Sequence, residues 1–433
     1  MIGILSATKR NEVAESSLFR ALPMCAVFYG IVIAPLLRLL FPDDDPLSTS
    51  RPEHRIFWTS LALLTILLSI RPLRQNGRIQ APPAIYWLAG YICIAGISII
   101  WSSAPTSSLV RLVQQFFVIT SVALPCVVSR YRDQILPSLL TCFAVAVLLN
   151  LIFLAIRAPS SIGHMGIYDH KNGLGEVSAL AFIFGVHLLF GGGNLRKVVA
   201  SCTAAGAFVC LVASQSKTSL ALACIIPITT LVALRLSYLT RISACLIILY
   251  WITLACLSMI LLAGVFTWTL DDILTFLFGD PTFTGRTLVW SFTTEMIEKR
   301  PLLGWGYQAF WLSGPEAASV REGPGWVALM PHAHNGYLDI LLETGWLGLS
   351  IGAGLLVAVA FGIETAARNA PATAWLPLSL FMFFALHNFL ETSFFRAFNN
   401  PWLIFLAVAA STPVATRPAS FEIPHASHYR MPA

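Results

Sequence analysis

His334 lies in Pro331-His332-Ala333-His334-Asn335-Gly336-Tyr337-Leu338, where a polar, Gly/Pro-rich loop turns directly into the apolar run from Leu338 to Phe361. About 20 apolar residues span a bilayer, so this imidazole sits where water meets membrane. An imidazole titrates near neutrality, which suits it to taking a proton from a hydroxyl. On a helix starting here, Asn335, Asp339 and Glu343 share one face at i, i+4 and i+8. Leu341, Gly345, Gly348 and Gly352 share another, where missing side chains admit a close second helix. Two readings stand on the residues alone. Ionisable groups at such a boundary do chemistry, or the carboxylates merely cap and bridge helices behind a His that marks the interface.

Four other spots place polar residues at the ends of apolar runs. They are Tyr168-Asp169-His170-Lys171-Asn172-Gly173-Leu174-Gly175, Ser214-Gln215-Ser216-Lys217-Thr218-Ser219, Gly285-Arg286-Thr287 with Trp290, and His387-Asn388-Phe389-Leu390-Glu391 followed by Arg396. Gathered in a bundle, Lys171, Lys217, Arg286 and Arg396 form a cationic pocket for a lipid-linked phosphate or pyrophosphate. Arg offers a planar fork there and Lys a point charge. The competing reading makes each a snorkelling anchor, and it is the one adopted for Arg38, Arg111 and Arg157. Nucleotide-cradling glycine loops, His-Glu-x-x-His and Gly-x-Ser-x-Gly are absent from the sequence. An activated lipid that carries its own leaving group fits this pattern better than nucleotide-fuelled chemistry.

The elements that must position these groups are membrane helices. The 433 residues are 57% hydrophobic and 11% charged, with mean hydropathy +0.75, against about 25% charged in soluble domains. The fold class expected is therefore an all-α polytopic membrane protein. Apolar runs predict about 12 spans, near 18–40, 56–71, 84–101, 108–128, 135–156, 173–191, 197–213, 218–236, 242–267, 337–362, 372–395 and 400–415. The layout is then a cytoplasmic N-terminus at 1–17, spans 1–9 over 18–267, one long loop at 268–334, spans 10–12 over 335–415, and a disordered cytoplasmic tail at 416–433. Residues Met1 to Arg20 are too polar and mixed in charge for a signal peptide. Short even-numbered connections carry Arg71, Arg74 and Arg78, then Arg130 and Arg132, Arg196 and Lys197, Arg235 and Arg241, and Arg368. Positive residues stay inside, which puts the long loop outside. Its tryptophans (268, 290, 305, 311 and 326) read mainly as interface anchors, with a sugar platform as the other option. The nine Cys all fall in or beside apolar runs and read as small hydrophobes. No internal repeat or inverted pair is visible, which argues against a carrier.

The segment His334-Asn335 through Leu338 to Glu343-x-Gly345-x-x-Gly348 resembles the signature of the O-antigen ligase and Wzy-type polymerase superfamily, particularly its exopolysaccharide-production members. So does Gly285-Arg286 with Trp290, Pro301 and Gly304-x-Gly306. His170-Lys171-Asn172-x-Leu174-Gly175 is similar to the family's His-Pro-Asn-x-Leu-Gly, and Lys217 stands where many relatives have Arg. The resemblance covers about 165–405. It implies a GT-C-like, metal-independent glycosyltransferase using no cofactor, which moves sugar from undecaprenyl pyrophosphate to a hydroxyl on the periplasmic face of a bacterial inner membrane. In that reading His334 is the base. Arg286 and Lys217, with Lys171 and Arg396, hold the pyrophosphate. Asn335, Glu343, Asp339, His170, Asn172 and Trp290 orient the base or bind sugar. The function implied is polymerisation of lipid-linked repeat units into a succinoglycan-like exopolysaccharide. The implied partners are that donor, membrane lipid, and chain-length-regulator and export proteins; no nucleic acid is expected. A ligase of finished glycan and a transporter of the same lipid are alternatives, as is a metal-dependent enzyme using Asp43 and Asp45.

Overall fold

Long apolar runs in a bilayer have no water for their backbone groups, so each run closes its own hydrogen bonds as a helix. The computed structural model describes residues 17–42, 51–75, 81–129, 132–189, 193–269, 272–273, 275–276, 285–312, 317–369 and 371–413. In chain order the main helices are α1 Ser17–Leu40, α2 Pro52–Arg74, α3 Pro83–Trp101, α4 Pro105–Val128, α5 Arg132–Ile156, α6 Lys171–Leu189, α7 Asn194–Ser214, α8 Lys217–Thr240 and α9 Ala244–Phe266. Then come α10 Arg286–Lys299, α11 Gly336–Asn369, α12 Pro371–His387 and α13 Asn400–Ser411. Ten of them, α1 to α9 and α11, are long and apolar enough to cross a membrane. The chain is an all-α multi-pass membrane protein.

The last two expected spans differ. The run at 372–395 leaves its helix after His387, and residues 388–395 are irregular. Helix α13 is buried from Asn400 to Ala410, so it is enclosed by protein rather than lipid. Irregular backbone beside membrane helices persists where protein satisfies its polar groups. Here the Asn388 side chain accepts from the Ser393 and Phe394 N–H groups at 2.8 and 3.0 Å. Tyr307 and Gln308 donate to the Phe395 carbonyl at 2.8 and 2.7 Å.

Helix α11 packs chiefly on α3, α6 on α7, α2 on α4, and α13 on α4. It breaks at Gly345, whose φ +63° and ψ −165° are closed to residues with side chains. The segment Pro301 to Gly306 wedges into the break. Trp305 and Gly306 donate to the Leu342 and Glu343 carbonyls at 2.8 and 2.9 Å, and Trp346 donates back to Pro301 at 2.9 Å. This corrects the glycine-face expectation. Gly345 meets a loop backbone at Leu302, while a neighbouring helix approaches further along, with Tyr91 beside Gly348 and Trp87 against Gly354.

The long connection has its own apolar core of Val289, Phe292, Met296, Trp305, Phe310 and Trp311, seated on Leu342 of α11. Trp305 and Trp311 are therefore core residues and not interface anchors. Their ring N–H groups donate to the Met296 carbonyl at 2.9 Å and to Asp339 at 2.8 Å. All nine Cys are free thiols. The N-terminus through residue 16, Asp43-Asp44-Asp45, and the tail at 416–433 lie outside the described residues.

Candidate active site

The irregular stretch after α12 brings Glu391 into the middle of residues from three other parts of the chain. Arg286, the first residue of α10, meets Glu391 Oε1 at 2.6 Å. Asn172, in the first turn of α6, donates its side-chain N–H to the same oxygen at 2.7 Å. His334 Nδ1 lies 3.1 Å from Oε2. Burial alone would raise the Glu391 carboxyl, but the hydrogen bond and charge of His334, with Arg286 and His387, outweigh it and bring it down to about 2. Glu391 is thus a carboxylate at working pH and can only accept. The proton in that contact therefore sits on His334 Nδ1, and in the neutral form of the ring Nε2 is the nitrogen that keeps a lone pair.

His334 itself adopts φ +53°, unusual for a residue with a bulky side chain. Three bonds hold that turn. The His334 N–H donates to His332 Nδ1 at 3.2 Å. The Ala333 N–H donates to Asp339 at 3.2 Å, and Trp290 donates to the Ala333 carbonyl at 3.0 Å. Among the described residues seven non-glycines have positive φ. Gln215, Arg241 and Thr267 end helices, His334 belongs to this site, and Gln308 bonds the carbonyl of Phe395, four residues after Glu391. Strained backbone concentrates where function fixes geometry.

A second cluster lies deeper. Arg396 lies within ion-pair distance of Glu343 at 2.7 Å and of Asp339 at 3.4 Å. These carboxylates hold its charge against the effect of burial. Arg396, expected to serve a phosphate, faces two carboxylates here. Glu343 does not orient His334; Glu391 does. Asp339 also accepts from Trp311 and Thr392, so it ties loop to helix. Asn335 is a cap, accepting the Tyr337 and Leu338 N–H groups at 3.0 and 3.2 Å. Arg111, read as a lipid anchor, instead turns inward and bonds the Gln308 carbonyl. It stays an anchoring residue, but of the loop.

Of the remaining candidates, His170 accepts the Asn172 N–H on Nδ1 at 3.2 Å. Desolvation pushes its imidazole down, with Lys171, His334 and Arg286 adding to that and Glu391 opposing, so these groups are its electrostatic neighbours. Lys171 opens α6 beside it. Lys217 is exposed in the first turn of α8, where the preceding Ser216 packs against Gly175 of α6. Glu391 lay within the stretch His387–Glu391 that the sequence singled out, but it was given no role there. Its one signal was an acid four residues after His387 in an otherwise apolar run.

Residues 202–353 match the family model described as O-antigen ligase. Over 293 residues the chain is 28% identical to the "Exopolysaccharide production protein ExoQ" of Rhizobium meliloti (strain 1021), a match covering 64% of each protein. The chain therefore aligns with just under two thirds of that relative's length. The segment at 202–353 is thus similar to the O-antigen ligase model, and the chain is similar over part of its length to an exopolysaccharide production protein.

Proposed function

We propose that this protein polymerises undecaprenyl-pyrophosphate-linked oligosaccharide repeat units on the periplasmic face of a bacterial inner membrane, as a glycosyltransferase that uses no metal. The observation that carries the reading is Glu391 bonded to both Arg286 and His334. In the reaction, an acceptor hydroxyl attacks the anomeric carbon of the donor sugar. The new C–O bond forms as the bond to pyrophosphate breaks, and the leaving group keeps that electron pair. Nε2 of His334 takes the hydroxyl proton, its ring held by Glu391 at Nδ1 in the way a carboxylate orients a catalytic imidazole. The Arg286 guanidinium, shared with Glu391, lies where it can meet the charge developing on the pyrophosphate. Lys171 and Lys217 supply further positive charge at the same end of α6 and α8. The products are a glycan longer by one transfer and a free lipid pyrophosphate.

Two experiments test this. His334→Ala should abolish polymer while the protein still accumulates in the membrane. In a strain lacking the gene, single lipid-linked repeat units should build up. Long unattached chains would instead support the ligase reading, which the matched family description favours. Lipid trapped in the cytoplasmic leaflet would support a transporter.

A further inference from the structure

Both side chains that hydrogen-bond Glu391 beside Arg286 are held by the same device. Asn172 donates to Oε1 and His334 lies against Oε2. Two residues upstream of each stands a histidine whose Nδ1 accepts that residue's backbone N–H. The pairs are His170 to Asn172 and His332 to His334, both at 3.2 Å. A side-chain acceptor bonding the N–H two residues on is what Asn and Asp provide in Asx-turns. Here an imidazole does it twice, at two distant points of the chain that converge on one carboxylate.

We propose that His170 and His332 are paired positioning residues, each a ring-nitrogen turn lock that aims its downstream neighbour at Glu391. A backbone N–H can only donate, so Nδ1 of each ring must be the bare nitrogen and any proton sits on Nε2. That excludes His332 as a base working through Nδ1. Its ring packs edge-on to His334, with centroids 4.3 Å apart and planes at 68°, so it also buttresses the neighbouring imidazole. Desolvation, reinforced by His334, keeps the His332 ring down at about 4 against the pull of Asp339 and Glu391. The acceptor nitrogen therefore stays bare across the working range. At His332 the lock is needed most, because His334 sits in the left-handed region and the N–H bond supports that conformation. The turn at His170 does less, since Asn172 already belongs to the first turn of α6.

The inference rests on the reading of His334 as base, and the test separates the two. Asn at 332 restores an acceptor in the same i to i+2 register, whereas Gln is one methylene longer and loses it. Turnover and KM are measured for purified His332→Ala, His332→Asn and His332→Gln with lipid-linked repeat units extracted from a strain lacking the gene. Ala and Gln should each lower kcat on the order of 10²-fold, the effect of a displacement of about 1 Å at a reacting group, with KM unchanged. Asn should recover most of kcat. The series at His170 should rank the same way with smaller losses. If Ala does not accumulate, the Asn and Gln pair still decides. Gln equal to Asn would overturn the lock, leaving His332 as packing only. Asn as inactive as Ala, with His334→Ala also inactive, would overturn the lock and leave the base assignment standing. An inactive His332→Asn beside an active His334→Ala would overturn both.

Discussion

Replacing Glu391 by Gln tests whether one carboxylate holds the site together. Its side chain is 14% exposed and bonds Arg286, which is 13% exposed. Its carboxyl stands at about 2 against an ordinary 4.5. At about 1.36 kcal/mol per unit, that displacement corresponds to on the order of 3 kcal/mol in favour of the folded, ionised state. Gln keeps the size and one acceptor but removes the charge, so Glu391→Gln should lose about that much at pH 7, the low end of the 3–5 kcal/mol range for breaking a buried pair. The folded-state value is depressed, so this stability is present above the unfolded value near 4.5 and is lost as pH falls toward 2. Denaturant unfolding of the detergent-solubilised protein measures the gap between wild type and Glu391→Gln from pH 7 to pH 3. It should be about 3 kcal/mol at pH 7 and roughly half that at pH 3. A gap that stays constant across this range, or no gap at pH 7, would refute the argument. Turnover of the variant should fall together with its stability gap.

Arg286→Lys keeps charge but loses the planar guanidinium fork and should cut polymer strongly, whereas Lys217→Arg should leave polymer yield near wild type; both are read from polymer size and amount. Gly345→Ala forces a Cβ into the Leu302 backbone at a glycine-only conformation and should cost about 3 kcal/mol or more, seen as low membrane accumulation. Chelator should leave the purified enzyme active, and changing Asp43 and Asp45 together to Asn should be tolerated; loss in both tests, restored by divalent cation, would reverse this. A periplasm-only reporter fused near Ser313 should be active and one near Arg74 inactive, because positive residues gather in the connections on the Arg74 side.

Helix existence was legible because apolar runs have a single way to satisfy their backbones in a bilayer. His334, Arg286 and Asn172 were legible because each opens a helix where polar sequence gives way to apolar. What the sequence could not reveal was pairing. The spacing of Asp339 and Glu343 correctly put them on one face, yet nothing local says that Arg396 will arrive there from an irregular stretch disguised as a span. Hydropathy averages over residues 388–395 because Phe389, Leu390, Phe394 and Phe395 outweigh Glu391. Arg111 was misread for a related reason: an arginine on an apolar helix looks the same whether it reaches lipid headgroups or the Gln308 carbonyl.

The break at Gly345 has a consequence for how the protein is made. It divides a 34-residue helix into residues 336–344 and 345–369, about 13 Å and 37 Å long at 1.5 Å per residue. Only the second part is long enough to cross, so the stop that halts chain passage begins at Gly345 and not at Tyr337. The wedge at 301–306 leaves the ribosome well before its socket at 342–347 does. It must therefore be delivered to its own side of the bilayer and wait there, with the Leu302 carbonyl and the Trp305 and Gly306 N–H groups bonded only to water. The socket is equally incomplete on release, since the Leu342 and Glu343 carbonyls face a gap until the wedge arrives. Neither half is a finished piece by itself. Seating of the wedge sets Trp305 against Leu342, so the surroundings of the candidate site are complete only once the two pieces have joined.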